Sequence, residues 1–245
     1  MSGTREGIAS YLRARREAFG LTRAELARRA GISEGLLQKI EQGTRPPTAT
    51  ALGPLFDVLQ VPVQIREHAA GLLQPELAVE LLDGPPEPGE LAFLHSLPYP
   101  ACIQTMPAVD VVAANDAYLR TFPGLQAGDN ILEWQLLNPV AREVIEEWER
   151  ETHFLVYGFR HMANGLIPPE RHARIVHACS ASPDWERLWS TDIPPADLPR
   201  RPGRLKSPDT GEWITVSVQI FRFELPRRPW WLYTLTPIPL LESAI

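Results

Sequence analysis

A run of helix signals in residues 21–46 constrains this chain more than any other feature. Thr22 is a helix-capping residue, and Glu25 follows it at the three-residue spacing of a capping box. Gly31 suits the left-handed conformation that ends a helix, and Ser33 suits the cap of the next one. The segment therefore predicts two short helices joined by a tight turn.

The apolar residues of these two helices recur at helical spacing, which predicts one buried face on each. These residues are Leu26, Ala27, Ala30, Leu36, Leu37 and Ile40. The second helix keeps a polar outer face that suits the DNA major groove. Caps and apolar stripes occur in any small helical bundle, but this full order of features favours a helix-turn-helix.

The candidate DNA contacts lie on that outer face and beside it. They are Arg23, Ser33, Glu34, Gly35, Gln38, Lys39, Gln42 and Arg45. Lys39 can donate to guanine, Glu34 can accept from cytosine, and Gln38 can pair with adenine. Arg23, Gln42 and Arg45 are predicted to bind phosphates, with a solvated loop charge as the alternative for Arg45. Gly35 costs the helix about 1 kcal/mol relative to alanine, which indicates either close approach to DNA or a tolerated weakness.

Residues 5–66 resemble the xenobiotic-response-element (XRE), lambda-repressor-like family of DNA-binding domains. The resemblance is carried by Leu12-Arg13, Arg16, Leu21-Thr22, Leu26-Ala27, Gly31-Ile32-Ser33, Ile40-Glu41, Gly43 and Pro46. In that family the residues matching Arg16 and Glu41 pair and join the first helix to the third. Such proteins usually bind double-stranded DNA as homodimers, at half-sites roughly 34 Å apart. The resemblance therefore implies a palindromic operator.

Charge divides the chain into two parts. Residues 1–70 carry 10 basic and 7 acidic side chains, whereas the remainder carries 14 and 23. Because DNA affinity depends on neutralising phosphates, the basic part is the expected contact surface. Apolar runs are shorter than a membrane span, and the first residues lack the apolar core of a signal peptide. We therefore expect a cytoplasmic protein with no membrane partner, in which Cys102 and Cys179 are reduced and buried.

The pattern of elements changes near residue 90. An all-α helix-turn-helix domain is predicted over 1–75, with helices near 5–18, 22–30, 33–42, 49–59 and 63–73. A linker over 76–91 includes a short helix at 76–82 and the proline-rich stretch 83–89. The second domain, 92–245, has predicted strands at 101–105, 109–113, 203–207, 212–223 and 230–236. Its predicted helices are 115–122, 139–163, 169–179 and 183–190. This order favours an α+β fold in which helices cover one face of an antiparallel sheet.

This layout resembles a PAS-like sensor fold, and residues 90–240 resemble the ligand-binding domain of MmyB-like transcription regulators. The resemblance is carried by Val112-Ala113-Ala114-Asn115, Asn130-Ile131-Leu132, Asn138-Pro139-Val140-Ala141-Arg142, Trp148-Glu149, Gly158-Phe159-Arg160, Ser182-Pro183-Asp184-Trp185, Leu188-Trp189 and Trp231-Leu232-Tyr233-Thr234. It implies a hydrophobic pocket between the sheet and the helices. A fatty-acid-like molecule is the suggested ligand, and no further cofactor is implied.

The candidate ligand contacts combine aromatic, aliphatic and polar side chains, as small-molecule pockets do. They are Ile103, Val111, Asn115, Tyr118, Phe122, Trp134, Phe154, Tyr157, Arg160, Ile214 and Val216. Asn115 and Arg160 are the polar groups that would orient the ligand. The alternative is that the aromatic residues form an ordinary packed core, and that Arg160 binds a carbonyl or a carboxylate.

These expectations combine into a transcriptional regulator whose C-terminal domain senses an apolar molecule and modulates operator binding. The alternative is a ligand-independent repressor whose C-terminal domain serves dimerisation or docks a protein partner. An enzyme is disfavoured, because the six histidines never form His-Glu-x-x-His and Lys206 is the only lysine outside the DNA-binding domain. His172, His177 and Cys179 lack the spacing of a zinc site. Neither catalytic nor metal-binding residues are predicted.

Overall fold

Capping residues and apolar stripes produce the helices of the N-terminal segment. In the computed structural model, which describes residues 2–61, 66, 82, 84–163, 167–194, 202–224 and 227–238, these helices are α1 (Ser2–Ala18), α2 (Arg23–Ala30), α3 (Glu34–Glu41) and α4 (Ala49–Val58). All four agree with the predicted helices. The helices predicted at 63–73 and 76–82 lie outside the described residues, apart from Arg66 and Leu82.

The chain divides into two compact units that differ from the predicted domain boundaries. The first falls within Met1–Val79, Gly158–His172 and Pro194–Asp197, and the second within Glu80–Tyr157, Ala173–Ile193 and Leu198–Ile245. The division therefore assigns Gly158–His172 to the first unit, whereas the sequence pattern placed this segment in the second domain.

The apolar faces of the first four helices form one hydrophobic core. Leu12, Leu26, Leu37 and Leu55 are fully buried in it, one from each helix. Because α3 buries Leu37, Ile40 and Glu41 and packs Leu36 against the core, its exposed residues are Glu34, Gly35, Gln38 and Lys39. This burial gives α3 the polar outer face on which the DNA-binding prediction depends.

The second unit contains a five-stranded antiparallel sheet. Its strands are β1 (Ala101–Thr105), β2 (Val111–Ala114), β3 (Gly203–Lys206), β4 (Trp213–Glu224) and β5 (Arg227–Pro237). Their order across the sheet is β2-β1-β5-β4-β3. In β1, Cys102 lies opposite Tyr233 and Ile103 lies opposite Leu232. Since successive side chains point to opposite faces, these two pairs lie on different faces of the sheet.

Seven further helices follow α4 in the described part of the chain. They are α5 (Pro88–Ser96), α6 (Asp116–Thr121), α7 (Ile131–Leu137), α8 (Val140–Val144), α9 (Trp148–Met162), α10 (Pro169–Cys179) and α11 (Trp185–Ser190). The prediction for α10 is confirmed at both ends, and those for α6 and α11 are close to the observed bounds. No described helix combines the length and apolar character needed to cross a membrane.

Helix α5 begins inside the segment predicted as a linker. Its Leu94 packs with Ile103 and Leu232 on one face of the sheet. On β5, the buried Arg228 donates to both carboxylate oxygens of Glu90 at 2.8 Å and to the carbonyl of Leu82 at 3.1 Å. These contacts attach the start of the domain to its last described strand.

Helices therefore lie on both faces of the sheet, and the expectation of one covered face is wrong. Tyr118 on α6 hydrogen-bonds to Cys102, whose side chain points away from the face that contacts α5. No apolar periodicity marks α5 in the sequence. Its start depends on Pro88 and on Glu90, which accepts a hydrogen bond from the Glu87 N–H at 2.7 Å.

The long helix predicted over 139–163 is broken in the structure. Helix α8 ends at Val144 and α9 begins at Trp148. Between them, Ile145 forms an antiparallel bridge to Leu205, and the Glu146 N–H donates to the Arg204 carbonyl at 3.1 Å. Because these backbone groups bond to β3, they are lost to a continuous helix. Neither glycine nor proline marks the break, so local sequence carries no sign of it.

Candidate DNA interface and ligand-binding core

The turn between α2 and α3 is built from the predicted capping groups. The Thr22 hydroxyl accepts from the Glu25 N–H at 3.2 Å, and the Glu25 carboxylate accepts from the Thr22 N–H at 2.9 Å. The hydrogen bonds that the Thr22 N–H and hydroxyl donate to the Glu25 carboxylate lower the pKa of Glu25. Gly31 ends α2 with a φ of 66°, a conformation that L side chains rarely adopt. Ser33 then caps α3 by accepting from the Leu36 N–H at 3.2 Å.

The structure brings most of the candidate DNA contacts onto one exposed surface. Glu34, Gly35, Gln38, Lys39 and Gln42 are exposed along α3 and its C-terminal cap. They follow the i, i+4 spacing that aligns side chains on one helix face. The N-terminal cap Ser33 and the loop residue Arg45, at either end of this row, are exposed as well.

Nothing within the fold requires glycine at position 35. A Cβ atom placed on Gly35 meets no heavy atom within 4 Å, and its backbone is not left-handed. An alanine side chain therefore fits the free protein, and packing within the fold does not account for Gly35.

The predicted pair of Arg16 and Glu41 is confirmed and has a third member. Arg16 donates to the two carboxylate oxygens of Glu41 at 2.6 and 3.2 Å. The Nε of Arg23 donates to the same carboxylate at 2.7 Å. The sequence prediction assigned Arg23 to phosphate alone and missed this contact. Its position as the first residue of α2, directly after the Thr22 cap, gave no indication of Glu41, which lies 18 residues later.

The aromatic candidates for ligand binding form a buried cluster. The Tyr118 and Phe122 rings lie 4.7 Å apart between centroids, and Phe122 meets Trp134 edge to face at 5.7 Å. The Trp134 indole N–H donates to the Pro123 carbonyl at 3.0 Å. This geometry brings three candidates together as packed side chains, stabilised by ring contacts.

Sheet register separates the aliphatic candidates. Val111 lies opposite Gln104. In β4, the register places Val216 and Ile214 on the same face of the sheet as Cys102. Ile103 points to the other face, into the cluster beneath α5. Ile103 therefore does not share a sheet face with Val216, because Ile103 follows Cys102 directly and successive residues of a strand point to opposite faces.

Asn115 has a structural role that accounts for its whole amide. Its Oδ1 accepts from the N–H groups of Ala101 at 3.0 Å and Tyr118 at 2.9 Å. Its Nδ2 donates to the carbonyls of Leu97 at 3.2 Å and Tyr99 at 2.9 Å, with a longer contact to Leu94. The amide has no spare donor to orient a ligand, so the structure does not favour that assignment.

The three candidates on α9 are divided between the two units. Phe154 is half-buried and Tyr157 is buried, and both belong to the second unit. Arg160 falls in the first unit, where its guanidinium contacts the ring nitrogen of His161. Arg160 therefore belongs to a different unit from the sheet residues.

The two cysteines are free and buried, as predicted. Burial raises the pKa of the Cys102 thiol to about 12, although a hydrogen bond with Tyr118 opposes this effect. Burial also raises the pKa of the Tyr118 hydroxyl. The interior beside α6 therefore holds neutral polar groups.

Several residues that carried the resemblance gather at a surface cavity that sequence reasoning missed. Asp184 binds both Arg142 and Arg187, and Arg187 also binds Glu149 at 2.6 Å. Hydrogen bonds from Arg187 and Arg142 lower the pKa of Asp184. The cavity has a volume of about 490 Å³ and is lined by Arg142, Glu146, Glu147, Trp148, Glu149, Arg150 and His153. This charged lining contains none of the predicted ligand contacts.

No group of three or more His, Cys, Asp or Glu side chains among the described residues is arranged to hold a metal ion. His172 stacks on Phe159, with 5.2 Å between ring centroids. Burial lowers the pKa of this histidine. His172 is therefore part of a packed aromatic contact.

Comparison with known families agrees with this two-part architecture. Residues 86–244 match the MmyB-like transcription regulator ligand binding domain, and residues 8–69 match a helix-turn-helix domain. The chain belongs to the MmyB-like family. Both matches are to parts of regulators rather than to enzymes, in agreement with the sequence prediction.

Two curated relatives are similar to part of the chain. They are uncharacterised HTH-type transcriptional regulators of Mycobacterium tuberculosis, from strains CDC 1551 / Oshkosh and H37Rv. Each is 31% identical over 74 residues, which make up 30% of this chain and 53% of the relative. The chain thus spans about half the length of the curated relatives it matches.

Proposed function

We propose that this protein is a sequence-specific DNA-binding transcriptional regulator whose α3 enters the major groove. The observation that carries the proposal is the exposed polar row on a helix that is capped and buried on its other side. Lys39 and Gln38 are the proposed base contacts on this row, with Arg45 on phosphate. The α2–turn–α3 geometry presents all three side chains to solvent.

The test uses charge reversal on and off this surface. DNA ligands are first selected from a random duplex library, and binding is then measured by gel retention. Lys39→Glu with Arg45→Glu is expected to abolish retention of the selected duplex. Lys206→Glu is the matched control, because Lys206 is an exposed lysine on β3. Retention that survives the paired reversal, or is lost equally in the control, rejects the proposed interface.

We further propose that two copies bind a palindromic operator. One α3 contacts only a few base pairs, and two such helices roughly 34 Å apart read two half-sites. A titration on duplexes with one or both half-sites decides this point. Equal affinity for both duplexes contradicts dimeric binding.

The second part of the proposal concerns a PAS-like domain that binds an apolar small molecule, such as a fatty acid, and changes operator affinity. The family match and the buried aromatic cluster of Tyr118, Phe122 and Trp134 support it. Val111 and Val216 complete the proposed contacts from the sheet, with Ile214 beside them. A ligand that binds one state of the protein better than another shifts the population toward it.

Native mass spectrometry of full-length protein purified from a heterologous host tests ligand binding. We expect a co-purified apolar molecule of a few hundred daltons that is removed by organic extraction. Phe122→Ala is expected to reduce its occupancy, whereas Phe93→Ala, at an exposed position on α5, leaves it unchanged. Protein that carries no such mass and binds none of a fatty-acid series contradicts this part.

A second candidate function is a C-terminal domain that serves dimerisation or docks a protein partner. The observation that favours it is the exposure of Trp213 and Phe221, which lie on the same face of β4. The double variant Trp213→Ser/Phe221→Ser separates the candidates by light scattering. Conversion of a dimer to a monomer supports this function, and an unchanged mass rejects it.

A further inference from the structure

The ion-pair network around Glu41 contains one more positive charge than negative charges. Arg16 and Arg23 share the carboxylate of Glu41, and Arg16 also contacts Glu17 at 3.1 Å. Glu17 in turn pairs with Arg13. Three guanidinium groups and two carboxylates therefore form one connected network. Its excess charge is available to an anion only where a cation reaches the surface.

Of the two arginines that bind Glu41, Arg23 is the one that reaches solvent. The Glu41 side chain is 0% exposed and that of Arg16 is 8% exposed, whereas that of Arg23 is 37% exposed. Glu41 accepts from the Nε of Arg23. The described residues supply no hydrogen-bond partner for the two Nη nitrogens of Arg23. A guanidinium held at Nε keeps a pair of parallel donors, which suits the two oxygens of a phosphate.

We infer that Glu41 is a positioning residue that holds the Arg23 guanidinium in place for a DNA backbone phosphate. Glu41 itself touches no DNA in this scheme. The bond to Glu41 reduces the rotamer freedom of Arg23 before DNA arrives, so less entropy is lost on binding. The same carboxylate joins α1 to the end of α3 through Arg16. It therefore places the phosphate contact in a defined position relative to the helix that reads bases.

This inference rests on the proposed DNA binding, but its test does not require the operator. Phosphate contacts are largely independent of sequence, and each one contributes roughly 0.9 to the slope of log affinity against log salt. The probe is a fluorescein-labelled 24-base-pair duplex of mixed sequence. Anisotropy titrations of the full chain are run at several salt concentrations between about 50 and 200 mM.

Three variants separate charge from positioning. Arg23→Gln is expected to lower the salt slope by roughly 0.9, because it removes one phosphate contact. Arg23→Lys keeps the charge, so its slope stays near that of the parent. Its affinity falls about threefold, because a lysine cannot bond to Glu41 and present a donor pair together. Arg13→Gln is the control on α1, where the arginine is exposed and paired with Glu17. It should leave the slope unchanged.

The double-variant cycle of Arg23 and Glu41 decides the role of the carboxylate. Glu41→Gln alone is expected to weaken duplex binding about threefold. In the Arg23→Gln background it should cause no further loss, because the residue through which it acts is absent. Additive losses in the cycle overturn the inference and assign Glu41 a purely structural role. Circular dichroism melts show the temperature range in which each variant is folded.

The remaining outcomes are also decisive. If Glu41→Gln fails to fold, the comparison of Arg23→Lys with the parent still decides, since both retain Glu41. Equal affinity of Arg23→Lys and the parent then overturns the inference. If the parent protein fails to bind the duplex even at low salt, the proposed function fails instead. The two failures are therefore distinguishable.

Discussion

Replacing Asn115 with alanine is expected to cost more stability than any ordinary surface change. The substitution leaves the buried N–H groups of Ala101 and Tyr118 without an acceptor and removes the cap of α6. It also removes the donors to the carbonyls of Leu97 and Tyr99. An unsatisfied buried group costs about 1–3 kcal/mol, so two N–H groups alone imply about 4 kcal/mol. Water can reach the carbonyls, which are only partly buried.

The distribution of tryptophan makes this loss measurable in the full chain. All seven tryptophans lie between residues 134 and 231. Urea unfolding followed by tryptophan fluorescence therefore reports the C-terminal part alone. With a slope of about 2 kcal/mol per molar urea, a loss of about 4 kcal/mol lowers the midpoint by about 2 M.

Asn138→Ala is the matched control for this experiment. The Oδ1 of Asn138 accepts from the Val140 N–H at 3.0 Å, and the residue is half-buried. Its loss should cost about 1 kcal/mol, similar to other local caps. If Asn115→Ala lowers the midpoint no more than Asn138→Ala does, the amide does not support the backbone. The assignment of Asn115 to the ligand then regains its basis.

Three further changes test other parts of the structure. Gly35→Ala should raise the melting temperature, because alanine favours helix, yet weaken DNA binding if the backbone lies against the duplex; unchanged affinity identifies Gly35 as a tolerated weakness. Cys102 and Cys179, each with a pKa raised by burial to about 12, should resist a thiol reagent at pH 8 in native protein and react in urea. Two fast-reacting native thiols contradict the buried arrangement. Asp184 has a pKa below its ordinary value, so its ion pairs stabilise the fold above pH 4 and are lost as the pH falls through the lowered pKa. Asp184→Asn should flatten acid unfolding in that range, and an unchanged pH profile shows that this network adds no stability.

Local signals predicted the DNA-binding half well because that half is built from local interactions. Caps such as Thr22 and Ser33 act within three residues, and the apolar stripe of α2 lies within one helix. Even the pairing of Arg16 with Glu41 could be anticipated, because it was implied by a family resemblance. The contact of Arg23 with the same carboxylate could not, since nothing near Arg23 in sequence signals it.

The second half shows where sequence reasoning stops. The antiparallel sheet follows from alternating strands, but its register decides which face each residue occupies, and Ile103 was placed on the wrong one. The break at Ile145 depends on its bridge to Leu205. Asn115 was predicted as a ligand contact because a polar side chain suits a pocket. In the structure its amide instead hydrogen-bonds to five backbone groups.

The order of strands has a consequence for synthesis of the chain. The first strand, β1, pairs with β5 at a separation of roughly 130 residues, and β5 lies in the middle of the sheet. The ribosome must therefore release nearly all of the described chain before β1 can pair with β5. Helices α1 to α4 are made first and can fold much earlier. A premature stop codon before residue 227 therefore removes the central strand of the sheet but leaves helices α1 to α4 complete.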